Sequence, residues 1–85
     1  MTTFKKIMAE KAKNIQPILR IGKSGVTDGI IEEIKRQLRK RKLIKIKFLK
    51  SAIEGSKKEF AEEIAERTRS ELIHQVGFVI VLHKK

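Results

Sequence analysis

Eighty-five residues suffice for one domain and are too few for two independent cores. Lys+Arg 21 against Asp+Glu 10 gives a net charge of +11, and the absence of cysteine excludes disulfides and thiolate metal sites. No stretch approaches the roughly 20 apolar residues of a membrane span, and the first residues carry no signal-peptide run, so a cytoplasmic protein without a membrane is expected.

Residues 3–14 read as a helix. Phe4, Ile7, Met8, Ala12 and Ile15 repeat at the i, i+3, i+4 spacing of one buried stripe, with Thr2 or Thr3 as cap. Pro17 cannot sit mid-helix, so the helix ends before Gln16, and residues 17–21 read as a short strand stopped by Gly22. Thr27 caps a second helix over 28–41 with Ile30, Ile31, Ile34 and Leu38 inward. Its acids lie early and its bases late, complementing the helix dipole, and Glu32 is placed to pair with Arg36.

Residues 43–49 alternate, with Ile44, Ile46 and Phe48 on one face and Lys45 and Lys47 on the other, as in a strand covered on one side only. Ser56-Lys57-Lys58-Glu59 has capping-box spacing and opens a third helix over 57–69. Phe60, Ala61, Ile64, Ala65 and Thr68 form its inner stripe, and its outer glutamates should turn it away from any polyanion. Runs 72–76 and 78–83, parted by Gly77, read as an antiparallel hairpin; the second, without alternation, suits a central strand buried on both faces. The expected fold is one small α/β (α+β) domain over residues 1–85, of order αβαβαββ, with helices packed on a mixed four-stranded sheet.

The strand-to-helix connection Ile21-Gly22-Lys23-Ser24-Gly25-Val26-Thr27 carries the most specific chemistry. Glycines let a ligand approach the main chain, and a helix start directs unpaired N–H groups at an anion. One reading is therefore a cradle for a phosphodiester backbone; the other is an ordinary connection using glycine for its geometry. Gly22-Lys23-Ser24 is not a nucleotide-binding P-loop, because Pro17 stands where that motif needs its first glycine. His74 and His83 lack metal-ligand spacing, and no nucleophile–base set is present, so neither enzyme nor cofactor is expected.

Charge narrows the choice. Residues 1–50 carry 15 basic and 4 acidic side chains, whereas residues 51–85 carry 6 of each. Such one-sidedness points to a polyanion-binding face, with nucleic acid as the expected polyanion and an anionic membrane or protein surface as the rival. With no Tyr or Trp, and at least three of the four Phe on core stripes, base stacking on an aromatic sheet is not expected. A surface gripping phosphates and sugars remains, salt-dependent and weakly sequence-selective.

The motif Ile21-Gly22-x-x-Gly25-Val26-Thr27-x-Gly29-Ile30-Ile31-x-Glu33-Ile34 resembles the signature of the CRM domain (chloroplast RNA splicing and ribosome maturation), including its single-domain YhbY-like members. Leu43-Ile44-Lys45-Ile46-Lys47 is similar to that family's strand motif, and residues 76–84 resemble its closing hairpin, with His83 in place of the usual tyrosine. The resemblance implies a fold related to the C-terminal domain of bacterial translation initiation factor three, and RNA binding in large ribosomal subunit assembly; a monomer is expected. KH domains share the I-G-x-x-G pattern but place it between two helices, whereas a strand precedes it here. By position, Gly22, Lys23, Ser24 and Gly25 would contact the RNA backbone beside Arg20, the basic helix (Lys35, Arg36, Arg39, Lys40) and the lysine face of the sheet (Lys45, Lys47).

Overall fold

A computed structural model describes residues 3–53 and 55–85. The elements follow the expected order: α1 (Thr3–Ala12), β1 (Leu19–Ile21), α2 (Asp28–Arg41), β2 (Leu43–Phe48), a 3-10 turn (Lys50–Ala52), α3 (Lys57–Thr68), β3 (Ser70–Val76) and β4 (Val79–Lys84). The sheet order is β1-β2-β4-β3. β1 runs parallel to β2, which requires a crossover, and α2 supplies it. β4 is antiparallel to both of its neighbours.

Alternation on the strands splits the core in two. Ile44, Ile46 and Phe48 of β2, with Ile80 and Leu82 of β4, face Ile34 and Leu38 of α2 and Phe60 and Ile64 of α3. Fully burying each such side chain contributes roughly 1.5–3 kcal/mol. The Phe48 ring lies 4.8 Å from that of Phe60 and 5.4 Å from that of Phe78, tying β2 to α3 and to the hairpin turn. On the other face, Val81 and Ile73 pack with Ala12 of α1, bordered by Met8, Ala9 and Leu43. β4 is thus central and buried on both faces, as its unbroken apolar run requires.

Local signals fix the helix ends. The Thr27 hydroxyl accepts from the Ile30 N–H at 3.2 Å, so α2 starts at Asp28. Ser56 Oγ accepts from the Glu59 N–H at 3.0 Å, and the Glu59 carboxylate accepts in return from the Ser56 N–H at 3.4 Å. That reciprocal box satisfies two otherwise unpaired donors. At their C-termini both long helices use positive-φ caps that are not glycine, Lys42 (φ 67) and Arg69 (φ 55). For a side chain with a Cβ this conformation costs about 1 kcal/mol.

Four expectations need correction. The α1 stripe is only partly covered: Phe4 and Ile7 are 50% and 47% exposed, because α1 reaches the sheet mainly through Met8, Ala9 and Ala12. α1 also stops at Ala12, its last turn tightening into i→i−3 bonds through Ile15; Thr3 is its first residue, and Thr2 lies outside the described residues. β1 is shorter than residues 17–21, although the Ile18 N–H still bonds the Lys45 carbonyl at 2.9 Å. Finally, β2 is not open on its lysine side, since α1 covers Leu43 and leaves Lys45 half-buried.

Candidate nucleic-acid interface

Where β1 ends, the chain turns within four residues. The Gly25 N–H donates to the Gly22 carbonyl at 2.9 Å, closing a β-turn with Lys23 and Ser24 exposed at its tip. The two glycines differ. Gly25 has φ +73, and a Cβ there would stand 3.4 Å from the Ala52 carbonyl oxygen, so the turn itself demands glycine. Gly22 has no positive φ, and among the described residues nothing lies within 4 Å of where its Cβ would be. The fold does not require glycine at position 22.

Among the described residues, no acceptor is found for the N–H groups of Lys23, Ser24 and Val26, nor for those of Asp28 and Gly29 in the first turn of α2. Lys23, Ser24 and Val26 line a depression of about 440 Å³ between the corner, the 3-10 turn and α3. Ser51 lines it, as do Glu63 and Arg67. Arg67 Nη2 stands 3.4 Å from the fully exposed Asp28 carboxylate, and Nη1 stands 3.8 Å from Glu63. Such exposed pairs are worth about 0–1 kcal/mol, so the guanidinium is easily released to an anion. α3 therefore does not turn away from the site, contrary to expectation; it brings both a carboxylate and an arginine to it. Arg67 was hidden in the sequence by its acidic helix, since only tertiary packing carries it 39 residues back to Asp28.

The basic residues divide into separate groups. Arg20 and Lys47 are direct partners in the parallel β1–β2 register, both exposed on the sheet face opposite α2, immediately before the corner. Lys45 lies further along that face, where it helps line a mainly apolar groove against α1 with Ala9, Val79 and Val81. Lys35, Arg36, Arg39 and Lys40 belong to the far half of α2, which at 1.5 Å per residue runs roughly 20 Å from the corner. The helix and the lysine face of the sheet thus flank the corner from opposite sides.

Not every α2 cation is free. Arg36 forks onto Glu33, with Nη2 at 2.6 and 2.7 Å from its two oxygens, replacing the expected Glu32 pair; Lys35 takes Glu32 instead, at 3.7 Å. Gln37 also donates to Glu33 at 2.9 Å and accepts from Arg41 Nε at 3.1 Å. The Arg36 hydrogen bonds, then that of Gln37, hold the Glu33 carboxyl below its ordinary value of 4.5. Arg39 and Lys40 make no ion pair among the described residues.

The turn, the strand before it and the basic helix after it coincide with a known domain: residues 2–84 match the CRS1 / YhbY (CRM) domain. The chain belongs to the CRM domain family. This CRM domain is 37% identical over 81 residues to "Probable RNA-binding protein YqeI" of Bacillus subtilis, covering 95% of this chain and 83% of that protein. It is likewise 37% identical over 82 residues to a "Probable RNA-binding protein" of Methanocaldococcus jannaschii, of which it spans 60%. The solution structure of a Staphylococcus aureus protein described as "a putative RNA binding protein" superposes with a TM-score of 0.84 at 38% identity, covering 100% of this CRM domain and 88% of that chain.

Proposed function

We propose that this CRM domain is a non-catalytic RNA-binding protein that holds the sugar-phosphate backbone at residues 22–25. The observation that carries the reading is Gly22: its conformation and surroundings leave no structural need for glycine, whereas close approach of a backbone to the main chain does need it. The unpaired N–H groups of Lys23, Ser24 and Val26 supply donors, and Lys23, Arg20, Lys47 and Arg67 supply positive charge around them. Lys35, Arg36, Arg39, Lys40 and Lys45 extend the attraction to a longer RNA, Arg36 less so because Glu33 already occupies it. Relatives named as RNA-binding proteins support the same ligand class. Family resemblance supports ribosomal RNA within large-subunit assembly as the target; the setting we assign is the cytoplasm, with the chain acting as a monomer.

The test is RNA affinity across a salt series for wild type and for the double variant Lys23→Asp/Ser24→Asp. Two carboxylates at the turn tip should lower affinity at least about tenfold and reduce the slope against log salt. Unchanged binding would remove the corner from the mechanism.

A protein- or membrane-surface module is the competing reading, favoured by the exposed Phe4 and Ile7 of α1 and by the exposed Val76, which lines the groove against α1. Co-sedimentation with ribosomal particles and not with anionic vesicles is expected; the reverse would favour the rival. Among the described residues no helix is long and apolar enough to cross a membrane.

A further inference from the structure

A second cationic surface lies at the opposite pole of the sheet. The register puts the start of β2, the start of β3 and the end of β4 together there, away from Ile21 and the glycine corner. Lys35, Arg39, Arg69, Lys84 and Lys85 line an open groove of about 270 Å³ at this pole, and among the described residues no Asp or Glu side chain lines it. Only Lys35 has an ion pair among the described residues, to Glu32 at 3.7 Å.

Dipole compensation accounts for Arg39, which stands with Lys40 and Arg41 in the last turn of α2, and for Arg67 in the last turn of α3, but Lys35, Lys84 and Lys85 lie outside those turns. Five cations in one concavity repel each other without an anion between them. The backbone also bears a cost to place one of them. Glycine is the favoured residue at positive φ after a helix, yet Arg69 of this groove occupies such a position. Strain of this kind, retained against an available cheaper residue, is a pointer to function.

The corner carrying Arg69 is braced. Thr68 Oγ1 donates to the Ile64 carbonyl at 2.8 Å and shares a 2.8 Å hydrogen bond with Ser70 Oγ, both hydroxyls being buried. The Arg69 N–H bonds the Glu66 carbonyl at 3.1 Å, and the Lys84 N–H bonds the Lys42 carbonyl at 2.7 Å. A guanidinium on a fixed backbone, ringed by ammonium groups, matches a phosphodiester.

We propose that this groove is a second phosphate-binding site, taking the sugar-phosphate backbone of a further segment of the RNA held at the glycine corner. The inference rests on the RNA-binding reading of that corner. With α2 as a rigid spacer roughly 20 Å long, the domain grips two segments of a folded RNA at a set separation.

The test uses the full chain and two probes: a single strand of about four nucleotides, the length a G-x-x-G loop clamps, and a stem-loop long enough to reach both poles. The variant is Arg69→Gly/Lys84→Gln/Lys85→Gln. Arg69→Gly relieves the positive-φ strain, so an unchanged or raised Tm checks that the fold is intact. We expect stem-loop affinity to fall about tenfold and its salt slope by roughly two, while tetranucleotide affinity stays within about twofold. Unchanged stem-loop affinity overturns the second site and leaves the corner standing. Equal loss on both probes overturns it too, since groove and corner would then be one site. If wild type binds neither probe, the RNA reading fails, and this inference with it.

Discussion

Gly22 and Gly25 look alike in the sequence and have different tasks. Gly25→Ala forces a Cβ into φ +73, against the Ala52 carbonyl at 3.4 Å, and should destabilise the domain by about 1 kcal/mol in denaturant titration. Gly22→Ala should leave stability within about 0.5 kcal/mol of wild type and yet weaken RNA binding. A Gly22→Ala protein that is equally stable and binds RNA equally well would return that glycine to simple connection geometry. Glu33 gives a second residue-level expectation. Its carboxyl is held below 4.5 by Arg36, so as pH falls the unfolded chain takes up the proton first. The stabilisation is complete above the unfolded value and disappears as acidification passes through the lower folded value. The stability difference between wild type and Glu33→Gln should therefore shrink below about pH 4.5, which pH-dependent unfolding measures directly. A difference that grows in acid would contradict the pairing.

Elements were legible where their signals are local. The Thr27 cap and the Ser56–Glu59 box act within four residues, so α2 and α3 begin where the sequence implies. Ser56→Ala should cost about 1 kcal/mol by leaving the Glu59 N–H without its acceptor, and thermal unfolding reads that out. A neutral result would mean that solvent replaces the hydroxyl without loss. α1 was less legible for a physical reason: an apolar stripe states that a face can be buried, not how much neighbouring surface exists to bury it. Phe4 and Ile7 stay about half exposed, with the Phe4 ring edge-on to that of His83 at 5.1 Å. Pairing along α2 failed by one residue, because Glu33 and Arg36 make a bidentate fork that outcompetes a single Glu32 contact.

At the scale of the molecule, counting charge along the chain correctly marked the first fifty residues as basic but could not say how the fold would distribute them. Arg20 and Lys47 meet across β1 and β2 on one side of the corner, α2 lies on the other, and Arg69, Lys84 and Lys85 join its far end from outside the basic half. Arg67 reaches the corner through a contact that no local pattern encodes. The family motif located the corner, while only coordinates separated the glycine the fold requires from the one it does not.

The most direct measurement is a titration of the isotopically labelled chain with a short single-stranded RNA, following each backbone amide by NMR. The amides of Lys23, Ser24 and Val26, which have no described partner in the protein, should shift most, and Gly22→Ala should suppress those shifts without altering the rest of the spectrum. Largest shifts instead along the α1 groove, at His74, Val76 and Val79, with the corner unmoved, would contradict the account.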